Sequence, residues 1–180
     1  MVYKLFIVLT FALNAAQLKA QFSGDLLCNP DSVTYTMNKV WEYDDGFIVS
    51  IEDSMHFENK TFYALKNNQN FDTRYYAEDK DGNTYILTKD KKKCFLFFPK
   101  EEIPDYKVHF DGRNFMIKSY HASIRTPYCI YDDVIMSETL TFKEYFKRGV
   151  GEVLLERKNY GKYFLKKIYY RQKNIVEKKE

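Results

Sequence analysis

The chain has 180 residues, 18% of them aromatic, with 16 tyrosines and 15 phenylalanines against 7 glycines and 4 prolines, and a formal net charge of +3. That length suits one domain with a real core, and three cysteines with no C-x-x-C pair exclude a disulfide scaffold and leave a redox motif unsupported. Without Lys4 and Lys19 the charge falls to +1, too little to point to nucleic acid as a partner.

The N-terminus is the most specific feature. "MVYK" is a short n-region with one positive charge, "LFIVLTFAL" (Leu5–Leu13) has h-region length, and "NAAQLKA" is a polar, small-residue c-region. This is the layout of a secretory signal peptide, and the apolar run is too short for a stable membrane span. Cleavage is expected after Ala20, with Ala16 as the alternative, which makes the protein secreted or periplasmic with no span in the mature chain. A lipoprotein would need a cysteine directly after the signal. In "DLLC" Asp25 interrupts the apolar run and Leu27 precedes Cys28, so no lipid anchor is expected. The organisation read from the sequence is a leader at 1–20, one β-domain at 21–175 and a loose tail at 176–180.

Two long alternations follow. In "VTYTMNKVWEY" Val33, Tyr35, Met37, Trp41 and Tyr43 share one face, and in "FIVSIEDSMHF" Phe47, Val49, Ile51, Met55 and Phe57 do the same. Period two over this length predicts strands with one wet face, and the Asp44–Gly46 turn between them favours a tight hairpin. The pattern recurs in "TFYAL", "TRYYAED", "NTYILT", "KCFLFF", "YKVHF", "NFMIKSYHA", "CIYDDVIMS", "LTFKEYFKRG", "VGEVLLERK" and "KYFLKKIYYRQK". Turn signals separate them, with Gly82 in "KDG" as one example. Short strands at this spacing predict an all-β antiparallel domain, a single strongly curved sheet or an open or half barrel. "PKEEIPD" (Pro99–Asp105) is the main non-strand insertion, because its two prolines bar a central strand. Within "LTFKEYFKRG" one helical turn competes at Lys143–Arg148, and the alternation of Leu140 and Phe142 with Thr139 and Thr141 favours strand.

Charge is uneven along the chain. Residues 41–58 hold six acids and no Lys or Arg, whereas residues 157–180 hold nine bases and two acids. Solvated strand faces account for this at least as well as an anionic partner does.

No chemistry-bearing motif emerges. His56, His109 and His121 are far apart, so no metal site is expected. "DKDGNTYILTKD" places Asp79, Asp81 and Asn83 like a calcium loop, but Thr84 stands where an EF-hand needs glycine and Asp90 where it needs glutamate, so a hairpin is the better reading. There is no Gly-x-Ser-x-Gly elbow, and the sequence-adjacent acid pairs, such as Asp132 and Asp133, point to opposite faces of a strand. Carboxylates brought together from distant strands keep a hydrolase open as a third reading. No catalytic residue, cofactor or metal ligand is expected. "NKT" (Asn59–Thr61) is a glycosylation sequon only in a eukaryotic host.

The aromatic pairs are more informative. Tyr75 with Tyr76, Phe97 with Phe98, and Tyr169 with Tyr170 each present one ring to each sheet face, so both faces must be covered. Tyr75, Tyr76, Phe97, Phe98 and Tyr169 are therefore the candidate apolar ligand face, with ordinary core packing as the competing use. In "FKRGVGEVLL" the glycines Gly149 and Gly151 leave one face bare. Such a pair marks a corner where a strand crosses a neighbour or accepts an aromatic ring. Gly46 and Gly82 are structural turn glycines by the same logic.

In order along the chain, "RYYAEDKDGNTY", "IRTPYCIYDDVIM" and "EYFKRGVGEVLLE" resemble motifs of uncharacterised secreted and lipoprotein-type β-domains of Bacteroidota. Those domains carry a Tyr-Tyr/Asp-Gly-Asn-x-Tyr hairpin, a Thr-Pro turn and a Gly-Val-Gly-x-Val strand. Here Cys129 stands where their turn has glycine, and their "G-x-x-W" is absent around "IPDYKV". The resemblance implies an envelope or secreted antiparallel domain similar to half-barrels that carry lipoproteins or lipid, and it implies no catalytic residues. The resulting expectation is an exported, non-enzymatic module that holds an apolar or lipid-like ligand in its concave face. The alternative is a structural or adaptor protein with a filled core and an envelope protein as partner.

Overall fold

Period-two alternation is realised as a meander of strands joined by short turns. The computed structural model describes residues 25–28, 33–69 and 73–171. After one helical turn, α1 (Asp25–Cys28), come β1 (Lys39–Tyr43), β2 (Ile48–Phe57), β3 (Lys60–Asn67), β4 (Arg74–Glu78), β5 (Thr84–Leu87) and β6 (Cys94–Phe98). The second half contains β7 (Lys107–Phe110), β8 (Arg113–Arg125), β9 (Ile130–Glu138), β10 (Phe142–Lys147), β11 (Gly151–Arg157) and β12 (Gly161–Tyr170). All twelve lie in one antiparallel sheet, in the order β6-β5-β4-β3-β2-β1-β12-β11-β10-β9-β8-β7. The first and last strands pair, with Val40 opposite Tyr169 and Trp41 opposite Ile168, so the sheet curls almost into a closed barrel.

One seam stays unsealed. β6 and β7 are the two ends of the strand order, and the segment between them is the proline-bearing stretch that the sequence sets apart. Side chains hold the edges together instead. The Tyr106 hydroxyl donates to the Leu96 carbonyl at 2.7 Å, and Phe95 and Phe97 of β6 meet Phe110 of β7 with centroids 6.4 and 6.5 Å apart. Satisfying an edge carbonyl and covering the gap with rings limits its use as a template for a foreign strand.

Alternation sorts the two faces, and bulges correct it locally. Tyr76 points into the barrel while Tyr75 and Ala77 point out. Phe97 and Phe98 both face inward, contrary to the expectation of one ring per face. Thr84 pairs with Phe98 and Tyr85 with Leu96, which leaves Phe97 as an extra residue that turns the strand by half a step. The outward side chains Phe62, Ala77 and Leu87 form a second small core on the outside of the sheet. Met55, Phe57, Tyr75, Tyr85 and Cys94 pack around it.

Two further expectations are corrected. The first strand begins at Lys39 rather than Val33, because Asn38 takes a left-handed conformation (φ 66°) that strand residues avoid. Residues Arg148–Val150 form the turn between β10 and β11, so Gly149 sits within a hairpin turn and Gly151 opens the next strand, and neither weakens a strand interior. Of the three cysteines, Cys28 and Cys129 form a disulfide that ties α1 to the β8–β9 turn, and Cys94 stays free. The expected leader and the loose tail lie outside the described residues.

Candidate functional site

In a meander, successive turns alternate between the two ends of the barrel, and here the two ends differ. The end carrying the β4–β5, β8–β9 and β10–β11 turns is closed by a polar plug. Lys39 is wholly buried, and its Nζ donates to the Gly149 carbonyl at 2.9 Å. The Gly149 amide donates to the Thr34 hydroxyl at 2.8 Å, and the Thr34 amide to Glu78 Oε2 at 2.8 Å. Trp41 Nε1 donates to the Val150 carbonyl at 2.5 Å. The Arg148 guanidinium donates to the carbonyls of Gly82 and Pro99, lashing this turn to β5 and β6. Gly151 is required here: a Cβ at that position would sit 2.8 Å from Trp41 Nε1, and its φ of +114° suits glycine alone. The bare face does accept an aromatic ring, as the sequence suggested.

Above the plug a chain of rings crosses the barrel. Tyr76 stacks on Tyr35 at 5.3 Å, Tyr35 faces Phe146 at 6.5 Å, and Phe146 stacks on Phe98 at 4.7 Å. These rings are the floor of a cavity of about 720 Å³ that opens at the other end. Trp41, Leu65, Phe115, Phe142 and Leu155 line its walls, and its mouth is bordered by Phe47, Asn67, Lys89, Asp111, Thr141 and Lys158, all from the opposite set of turns. Packing defects in a close-packed interior rarely exceed a water molecule, whereas ligand pockets run from about 300 to 1,000 Å³. The lumen belongs to the second class.

Charged groups cross this apolar space at mid-height. Arg74 on β4 and Glu144 on β10 are six strands apart in a ring of twelve, so they stand on opposite walls. Glu152 of β11 joins Glu144 because β11 bulges: Phe146 pairs with Glu152 and Tyr145 with Leu154, leaving Val153 unpaired. Burial raises the Glu144 carboxyl, opposed by Arg74 and by the Ser137 hydroxyl that donates to its Oε2 at 3.3 Å. Burial first, and then the charge of Glu144, push Glu152 up to about 8. Glu152 is half-buried by its surface although barrel atoms ring it, because that surface faces the lumen. Tyr76 holds the Arg74 guanidinium charged, with support from Glu144 and against burial, and burial pushes the Tyr76 hydroxyl up to about 12. Neither carboxylate forms an ion pair among the described residues. Chemically, the waist offers a fixed cation and two carboxyls whose burial favours the protonated form, Glu152 keeping its proton near neutrality.

Of the candidate ligand face, Tyr76, Phe97 and Phe98 do line the cavity. Tyr75 and Tyr169 do not: Lys91 caps the Tyr75 ring at 4.5 Å among the outer cluster, and Lys167 caps the Tyr169 ring at 5.1 Å. Sequence reasoning missed Arg74, Glu144 and Glu152. The histidines stay apart on the surface. His121 bridges Glu102 at 2.6 Å and Asp133 at 3.0 Å, while His56 meets Thr61 and His109 meets Asn114. Asp79 serves the hairpin, accepting from the amides of Asp81 and Asn83 and from the Tyr85 hydroxyl.

Comparison with protein families, curated proteins and solved structures finds no match to this chain.

Proposed function

We propose that this protein is an exported, non-enzymatic carrier that holds a lipid-like ligand inside its barrel, the apolar body against the aromatic floor and walls. The observation that carries the reading is the cavity of about 720 Å³, closed at one end and open at the other. A filled core, as the structural or adaptor alternative requires, would leave no such volume. Convergent polar groups, which ligand pockets add to an apolar lining, are supplied by Arg74, Glu144 and Glu152. Export to the periplasm or beyond rests on the leader at 1–20, and kinship with the Bacteroidota β-domains belongs to the same proposal. Trp41 is the single tryptophan and lines the cavity, so it reports occupancy. Titration with cis-parinaric acid is expected to quench Trp41 saturably, and Leu65→Phe, which intrudes on the lumen, to weaken the effect. Absence of saturable quenching, together with a native mass equal to the chain alone, overturns the reading.

A second reading has one specific observation behind it. Glu144 and Glu152 line the same lumen, and Glu152 is raised to about 8, an arrangement suited to a general acid beside a second carboxyl. Under that reading the protein turns over a nitrophenyl glycoside, and Glu144→Gln or Glu152→Gln abolishes turnover. Saturable binding without turnover removes it.

A further inference from the structure

The open end carries more than the cavity mouth. Going round the ring, the β11–β12, β9–β10 and β7–β8 turns are consecutive, and the β5–β6 turn follows across the seam. Two of these turns raise apolar side chains into solvent: Leu140 is 93% exposed and Tyr160 is 78% exposed. They are held side by side, because the Lys158 amide donates to the Thr141 carbonyl at 2.9 Å and so joins the two tips. A leucine so fully exposed at a turn tip contributes nothing to the core, and neither ring nor aliphatic chain is covered by a neighbouring element.

The same arc is strongly basic. The β5–β6 turn holds four lysines between positions 89 and 93 against Asp90, the β7–β8 turn has Arg113 against Asp111, and the β11–β12 turn adds Arg157 and Lys158. With Glu138 at the β9–β10 turn, seven cations thus face three acids on one side of the mouth, while the β1–β2 turn on the other side carries Asp44 and Asp45. Several are splayed along the rim by aromatic neighbours: Arg113 lies over Phe142 at 5.7 Å, Arg157 over Tyr163 at 5.3 Å and Lys91 over Tyr75 at 4.5 Å. Lysine stems and apolar tips side by side match the layering of a lipid surface, where charge meets the headgroups and apolar side chains reach below them.

We propose that this arc of the rim docks the cavity mouth onto an anionic lipid bilayer, with Leu140 and Tyr160 inserted and the basic turns on the headgroups. The proposal goes beyond ligand binding and supplies the route that a poorly soluble ligand needs. Docking would bring the mouth to the membrane rather than to water, so the ligand passes between bilayer and lumen without crossing solvent. The asymmetry of the rim tilts the barrel, with the acidic β1–β2 turn held away from the surface.

The test is co-flotation of the chain with vesicles of phosphatidylcholine alone and of phosphatidylcholine with one-third phosphatidylglycerol, at low and high salt. Binding is expected only with phosphatidylglycerol, and it should weaken as salt screens the charges. Leu140→Asp, and separately Lys92→Glu with Lys93→Glu, should each reduce binding, the second by at least about fivefold per lysine. These side chains are exposed and lie outside the cavity lining, so the fold is unaffected and the Trp41 titration with cis-parinaric acid stays normal. In a Tyr160→Trp variant, emission beyond that of Trp41 should move to the blue on anionic vesicles. Binding carried by any other part of the chain would survive both sets of substitutions, and that result overturns the proposal. So does flotation with phosphatidylcholine alone, or none with either vesicle. Because Trp41 reads the lumen independently, loss of docking with quenching intact defeats this inference and spares the carrier reading; loss of quenching with docking intact does the reverse.

Discussion

The two ends of this barrel are built from the same alternating strands and end in opposite states. At the closed end Lys39 finds the Gly149 carbonyl, Trp41 the Val150 carbonyl, and Thr34 the Gly149 amide, while the Thr84 and Tyr131 hydroxyls at the same end are buried without a partner. In the open half, Arg74, Glu144 and Glu152 line a lumen, with Arg74 held by Tyr76 and Glu144 by the Ser137 hydroxyl. Buried polar groups are costly unless they are paired, so a satisfied network closes space and an unsatisfied one needs water or a ligand beside it. The difference lies in the space beside those groups: three turns fill the closed end, whereas the charged groups of the waist border an open volume.

The largest expected effect comes from breaking the closed end. Gly151→Val places a branched side chain at φ +114° and drives its Cβ into the Trp41 indole. Strain and overpacking together should cost about 4 kcal/mol, read as a large fall in melting temperature. The damage should spread to the lumen, because Trp41 is both part of the plug and part of the cavity wall. An unchanged melting temperature would mean that the plug does not hold this end shut.

A smaller effect sharpens the other side of the comparison. Glu152 is held at about 8 in the fold against an ordinary 4.5, so the folded chain binds its proton more tightly than the unfolded chain does. The associated stability is full below pH 4.5, declines as the pH rises, and is gone once the pH passes about 8. Glu152→Gln cannot ionise and should remove that decline, leaving the variant more stable than the parent at pH 8.5 by ~1–2 kcal/mol, a figure kept low because water entering the lumen screens the charge. At pH 4.5 the two should melt alike. Identical stability curves from pH 4.5 to 8.5 would place the carboxyl in bulk-like solvent and remove the distinction between lumen and surface.

Much of the fold was legible because period two is a strong local signal, and the hairpin at Asp79–Asn83 announced itself through turn chemistry. The polar waist was legible in principle. In "FKEYFK" the acid Glu144 falls on the same face as Phe142 and Phe146, and Lys39 falls on the face of Trp41 and Tyr43; a charge on the apolar face of a strand is the signature of a buried polar site. What no local pattern carries is a bulge. Val153 and Phe97 each shift the register by one residue, and that shift aligns Glu152 with its partner and turns Phe98 inward. The pairing of Cys28 with Cys129 was equally out of reach, since only the closed ring brings the β8–β9 turn to the N-terminal segment.

The smallest effect is expected outside the barrel. Cys94 belongs to the outer cluster around Phe62, Ala77 and Leu87, where it is only half-buried, and its thiol donates to Glu58 Oε2 at 3.5 Å. Burial and then that carboxylate raise the thiol above its ordinary value, so little thiolate is present at neutral pH and reaction with a disulfide reagent should be slow. Cys94→Ala removes one sulfur from a cluster edge that Met55, Phe57 and Tyr85 still cover, and the melting temperature should move by less than the equivalent of about 0.5 kcal/mol. Quenching of Trp41 by cis-parinaric acid should be unaltered, because Ala77 and Leu87 separate this cluster from the lumen as part of the wall itself. A variant that precipitates, or that loses ligand binding, would show that the outer cluster and the lumen act as one unit, and the contrast between the two ends would then be only part of how the barrel is held in shape.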